Sequence, residues 1–302
     1  MQFLLVSLLL VTSAFAHTDL SKTIEALTGK IAKNPTAELY YQRATEYRAL
    51  REKEHAIEDL RAALELNPKY REAKLTLAET LGSTDEALEL AISLAANSRD
   101  TRSSIQPTLL QARIHQQRGD YEKAFEVTSF LHKLTLKARQ NETEIDLLHA
   151  DILLDLNRPA EATTVLKAAW ERTESIVLRN NWIDTALTAG QTKDILPNIE
   201  KELRSSRLRS SWLIRRARAL LVLGNEKAAR TDLLAALVEI EPRINPKQPD
   251  LTLIADRGLI HALMGNAALA RRDLGILKKT NLPASAYRLL SSELPEAEGK
   301  SE

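Results

Sequence analysis

The sequence predicts an all-α protein, an α-solenoid of about seven helix-turn-helix repeats. Three observations carry that expectation. An Ala or Ile opens the second apolar stripe of each unit at Ala56, Ala87, Ala124, Ala162, Ile195, Ala229 and Ala270, with spacings of 31, 37, 38, 33, 34 and 41 residues. Five residues before these anchors stand Arg51, Gly82, Gly119, Asn157, Gly190, Gly224 and Gly265, so five of the chain's nine Gly share one phase. Gly and Asn enter the left-handed conformation most cheaply, as a tight helix-to-helix turn requires. Twelve residues before the anchors come Ala44, Leu75, Ala112, Ala150, Ile183, Ala217 and Gly258, mostly small, as expected where a first helix lies close against its partner.

Residues 1–16 carry no charged side chain, run apolar from Phe3 to Val11 and end Ala14-Phe15-Ala16. That is the pattern of a secretory signal cleaved after Ala16, and it is too short for a membrane-spanning helix. Residues 17–36 are expected as a capping half-repeat, because Ile24, Leu27, Ile31 and Asn34-Pro35 align with Ile57, Leu60, Leu64 and Asn67-Pro68. The repeat array is expected over 37–283. In its first unit the apolar positions Ala56, Ile57, Leu60, Ala63 and Leu64 lie on one helical face. Asp232-Leu233 with Ala235, Ala236 and Leu237 repeats the pattern of Asp59-Leu60 with Ala62, Ala63 and Leu64. Asn67-Pro68, Pro107, Pro242, Pro246 and Pro283 are expected between units, with inter-unit loops at 97–106 and 241–250, because Pro damages a helix interior. Residues 284–302 are expected as a closing helix, with Tyr287, Leu290 and Leu294 at helical spacing, followed by a polar tail from Pro295.

These residues resemble the tetratricopeptide repeat, a unit of about 34 residues with aromatic, small and Pro landmarks. Residues 37–68 carry the resemblance best: Tyr40, Ala44, Tyr47, Ala56, Leu60 and Pro68 keep its spacing, while Arg43 stands where Leu is usual. Gln111-Ala112, Gly119-Asp120-Tyr121 and Ala124 match next best, and the units at Ala87 and Ile195 least. The resemblance implies a right-handed superhelix whose concave wall comes from the first helices and holds an extended partner segment.

Composition narrows the function classes. The 302 residues are 44% hydrophobic and 27% charged, ordinary globular values that exclude a collagen-like or largely disordered chain. Lys+Arg 42 against Asp+Glu 41 leaves +1, so no global field recruits nucleic acid, and none is expected as a partner. The chain has no Cys, hence no disulfide, thiolate metal site or Cys nucleophile. No phosphate-binding Gly loop, H-E-x-x-H or G-x-S-x-G motif occurs, and the six His form no i, i+4 pair. No enzyme activity, cofactor or metal is therefore expected. The Trp residues 170, 182 and 212 fall at packing phases, and His115 and His261 share one repeat position as half-buried packing residues. Asn141-Glu142-Thr143 is a formal glycosylation sequon in which Thr143 also suits a helix N-cap.

Two surfaces stand out. On the wall that the resemblance implies, eleven residues before the anchors, stand Thr45, Arg113, Asp151, Asp184 and Arg218, with Asn180 nearby. Such a row suits an extended peptide gripped by charge-assisted hydrogen bonds; alternatively its charges pair with each other on a solvated face. The second is Arg204, Arg207, Arg209, Arg215, Arg216 and Arg218, six Arg and no acid within 204–218. Guanidiniums grip carboxylate or phosphate bidentately, although Arg215 and Arg216 point about 100° apart on a helix. The expected function is a non-enzymatic scaffold, secreted or periplasmic, that binds a protein or peptide in the groove and serves the cell envelope. The alternative is a binder of an anionic glycan, lipid headgroup or phosphate through the Arg cluster.

Overall fold

The computed structural model describes residues 4–137, 142–280, 282 and 284–294. The expected polar tail, the first three residues of the expected leader and Asn141 lie outside them. All regular elements among the described residues are helical, in two compact units, Met1–Ile152 and Leu153–Glu302.

The first unit begins with α1 (Leu4–Lys33), one helix running across the expected cleavage point. Its C-terminal part packs on α2 (Ala37–Ala49), burying Leu27 and Ile31, two of the positions expected to cap the stack. Thr36 caps α2, its hydroxyl accepting from the Leu39 N–H. There follow α3 (Lys53–Leu66), α4 (Arg71–Leu81), α5 (Asp85–Ala96), α6 (Thr101–Gln117), α7 (Tyr121–Lys137) and α8 (Thr143–Asp155). The second unit continues with α9 (Pro159–Thr173), α10 (Ile176–Thr188), α11 (Leu196–Ser205), α12 (Ser210–Val222), α13 (Glu226–Ile240), α14 (Leu251–Leu263) and α15 (Ala267–Lys278). The final helix is α16 (Arg288–Ser292). Within each unit, successive helices pack as hairpins, α2 on α3, α6 on α7, α12 on α13 and α14 on α15.

All seven residues expected at the turns have positive φ, from +56° at Asn157 to +79° at Gly119. At Gly119 the reason is conformational, since a Cβ there would meet nothing within 4 Å. The Asp120 N–H reaches back to the His115 carbonyl at 2.9 Å and the Gly119 N–H to Gln116 at 3.0 Å, closing the helix end. All seven anchors, from Ala56 to Ala270, are fully buried.

Three expectations are corrected. Pro107 lies inside α6 and is buried, and the loop before it is only residues 97–100. The helix starts early because Asp100 and Ser103 form a reciprocal capping box, and because the carbonyl that Pro107 leaves without an N–H, that of Ser103, accepts from Arg71 at 2.7 Å. In the second repeat the close approach is made by Ala78, packed with Ala87 and Ile114, while Leu75 is only half-buried. The 31-residue spacing falls about one helical turn short of the usual unit, which moves the small position three residues on. In the fifth, α11 starts after its anchor Ile195, because Pro197 is tolerated only in a first turn.

An unexpected clamp recurs at one repeat position. Arg43 with Asp59, Arg216 with Asp232 and Arg257 with Asp273 are each 16 residues apart and bidentate, at 2.6–2.9 Å, tying the two helices of a hairpin together. Hydrogen bonding to the carboxylate raises the pKa of each of the three Arg. Arg43 in the usual Leu place is thus a partner for a buried acid. At the end of the second unit Leu290 of α16 is buried against Ile254, Ala270, Leu274 and Leu277.

Candidate functional site

The first helices supply the expected wall residues. In the first unit Thr45 is exposed and its hydroxyl donates within its own helix, to the Tyr41 carbonyl. Arg113 of α6 forms an ion pair with Glu144 of α8, and Gln116 Nε2 donates to Asp151 Oδ2 at 2.9 Å. Both contacts span adjacent first helices, so this wall is laced laterally.

In the second unit α12 brings two guanidiniums to Asp184 of α10. Arg215 of α12 grips it bidentately at 2.9 and 2.6 Å, and Arg218 Nη1 stands 3.4 Å from the same carboxylate. Arg218 Nη2 also donates to Thr188 Oγ1 at 3.2 Å, and only 7% of Arg218 is exposed. Arg215 lies over the Trp212 ring at 4.8 Å. Burial works against the charge on both Arg. At Arg215 the Asp184 carboxylate prevails and raises the pKa; at Arg218 burial prevails and lowers it. One turn before Asp184, the buried Asn180 Oδ1 has no hydrogen-bond partner among the described residues.

Asp256 of α14 extends the strip at the repeat position that Arg215 occupies one unit earlier. Burial pushes its carboxyl up to about 6, with Arg215 opposing that rise and the Asp184 charge adding to it. The C-terminal segment approaches the same strip: Arg288 Nη2 donates to Asp155 Oδ1 at 2.8 Å, and the Glu293 charge acts on Arg218. The structure thus brings Asn180, Asp184 and Arg218 together as a polar strip. The sequence reading missed Asp256 and Trp212 as its members, though both stand on predicted first helices.

The six-Arg cluster is not one patch. Arg215 and Arg218 turn to Asp184, and Arg216 turns to the opposite side of α12, to Asp232 at 2.7 Å and Glu200 at 3.1 Å. As the counterpart of Arg43 and Arg257, Arg216 is a hairpin clamp whose signal was its place thirteen residues before the anchor. Arg204, Arg207 and Arg209 are exposed around the connection from α11 to α12.

The expected packing residues behave as such: Trp182 and Trp212 are buried, and Trp170 stacks on Trp182 at 4.9 Å. A cavity of about 640 Å³ in the first unit lies between α5, α6 and α7, with Ile92, Val127 and Phe130 on its walls. Among the described residues no group of three or more His, Asp or Glu converges on a metal position, and no helix is long and apolar enough to cross a membrane.

Successive two-helix units with a left-handed residue at each turn define a helical-repeat protein. Residues 37–70 match the family model of the tetratricopeptide repeat. A tetratricopeptide repeat protein from Parabacteroides merdae ATCC 43184 shares the fold at a TM-score of 0.60 and 16% identity, covering 85% of this chain and 98% of that one. PilF of Pseudomonas aeruginosa aligns at a TM-score of 0.49 and 18% identity, covering 68% and 92%. TTC0263, a thermophilic protein of Thermus thermophilus, aligns at 0.41 and 18%, covering 67% and 99%. Sequence comparison with curated proteins finds no match.

Proposed function

We propose that this protein is a non-enzymatic interaction scaffold that binds a partner protein along the inner strip of its second unit. The observation that carries this reading is Asp256. Burial makes its ionised carboxylate costly, with the pKa pushed up to about 6, and such a cost is retained where a partner group offsets it. Asn180 adds an unsatisfied acceptor on the same wall. The complementary segment presents a cation or N–H donors to Asp256 and Asn180. Asp184, already pinned by two Arg, supports the strip without contacting the partner.

The protein works outside the cytoplasm in this reading, in the assembly or upkeep of the cell envelope. The charge-free apolar run from Phe3 to Val11 and the small-residue pattern Ala14-Phe15-Ala16 support export.

Capture of partners from an envelope extract by wild type and by Asn180→Ala/Asp256→Asn tests the groove. A protein held by wild type and lost by the variant supports it; equal capture by both removes the strip from the function. N-terminal sequencing of the exported chain tests the leader, with His17 as the expected first residue. Recovery of the intact N-terminus in the cytoplasmic fraction would reject export.

A further inference from the structure

The connection from α11 to α12 is pinned from inside. The Ser206 N–H donates to the Glu202 carbonyl at 2.8 Å, and the Arg209 and Ser210 N–H groups donate to the Glu239 carboxylate at 3.0–3.1 Å. Held at both ends, it leaves Arg207, Leu208 and Arg209 exposed, with Leu208 at 58%, and Arg204 is exposed on the last turn of α11. The register of the neighbouring first helix brings up more apolar surface. Arg215 meets Asp184, 31 residues earlier, and Arg179 lies over the Trp212 ring at 5.8 Å near the N-terminal ends of the two helices. Ile176 and Val177, at 67% and 54% exposure, stand on the first turn of α10, at the same edge as the start of α12 that Leu208 precedes.

We propose that this edge of the second unit, Ile176, Val177 and Leu208 among Arg204, Arg207 and Arg209, docks on an anionic lipid surface. Large aliphatics exposed together on helix ends mark a contact surface. Among the described residues Arg204, Arg207 and Arg209 have no carboxylate partner, whereas Arg179 and Arg243 nearby are paired with Glu202 and Glu239. The exposed acids of the neighbouring connections are Glu174, Glu241 and Asp250, and Lys201 and Lys247 add positive charge. A bilayer interface satisfies both halves of the patch: aliphatics enter the headgroup boundary while guanidiniums bind phosphate. A soluble anion would leave the aliphatics in water. The edge uses neither Asn180 nor Asp256, so it stands or falls separately from the groove reading.

Co-sedimentation of the full chain with vesicles of phosphatidylcholine, alone or mixed with phosphatidylglycerol, tests the edge. The readout is the ratio of binding to the two vesicles, because the apolar run at residues 3–11 is common to all variants and indifferent to lipid charge. Wild type is expected to prefer the anionic vesicles and to lose the preference with salt. Arg207→Ala/Arg209→Ala should weaken binding by about fivefold per guanidinium. Ile176→Ser/Leu208→Ser should weaken it as well, while Lys133→Ala in the first unit should leave it unchanged. Equal binding to both vesicles, or wild-type binding by the Arg pair variant, would overturn the proposal. So would full binding by the aliphatic variant together with competition by inorganic phosphate, which marks a soluble-anion site. Capture of an acidic protein by this edge without vesicle binding would overturn it too.

Discussion

The guanidinium of Arg71 donates to the carbonyl of Ser103 at 2.7 Å, the carbonyl in the first turn of α6 that Pro107 leaves without a backbone donor. The same guanidinium reaches the Leu94 carbonyl and Ser98 Oγ at 3.0 and 2.8 Å, so one side chain of α4 secures the end of α5 and the start of α6. Arg71→Ala should destabilise the first unit by about 2–3 kcal/mol, the cost of unmet buried acceptors. Adding Pro107→Ala should recover part of that loss, because the new N–H reaches Ser103. Urea unfolding of the two single variants and the double variant measures the coupling; strict additivity would break the link.

Gly258 is small for a reason that differs from the turn glycines. A Cβ there would stand 2.7 Å from Leu290 Cδ2 and 3.1 Å from Asp273 Cβ. Gly258→Ala should cost about 1–3 kcal/mol by overpacking and loosen α16, read as faster proteolytic loss of the C-terminal segment. Gly119→Ala, where space is open but φ is +79°, should cost about 1–2 kcal/mol without that loss.

Arg216 and Arg204 stand twelve residues apart in one basic run, yet their variants should differ. Arg216→Ala leaves the buried Asp232 carboxylate without its clamp and should cost about 2 kcal/mol. Arg204→Ala, on an exposed helix end, should stay within about 0.5 kcal/mol. Thermal midpoints of the two variants, compared at one pH, check this; equal shifts would remove the clamp.

The raised carboxyl of Asp256 makes a prediction with a definite sign. Its folded pKa of about 6 exceeds the ordinary carboxylate value, so the folded state holds the proton more tightly and this group's contribution falls as pH rises from about 4 to about 6. Above that window the penalty is complete, at about 3 kcal/mol if the whole shift is converted. Asp256→Asn should therefore stabilise the second unit at pH 7 and lose its advantage below pH ~4. Denaturant titrations at the two pH values measure it, and a gain independent of pH would assign the effect elsewhere.

Much of the fold was legible because its determinants are local. The turn phase could be read from Gly82, Gly119, Gly190, Gly224 and Gly265, since a left-handed residue is a property of the chain within one turn. It extended even to Arg51 and Asn157, which adopt positive φ without being Gly. Pro107 misled because a Pro in a helix interior is normally disruptive, and its rescue comes from Arg71, 36 residues earlier, a contact that periodicity does not reveal. The Arg cluster misled in the same way. Six like charges in fifteen residues look like one patch, until helix geometry and the carboxylates of Asp184, Glu200 and Asp232 divide them.

By itself the sequence determined the class of fold, the places of the turns and the buried anchors, because each depends on backbone conformation or side-chain size at one repeat position. Which charges are spent inside and which remain for a partner was decided only by the tertiary structure. Arg215, Arg216 and Arg218 are alike in sequence, but their partners lie on three different helices brought up by the packing of hairpins. Charge pairing depends on distances between such elements, and a one-dimensional pattern does not contain them.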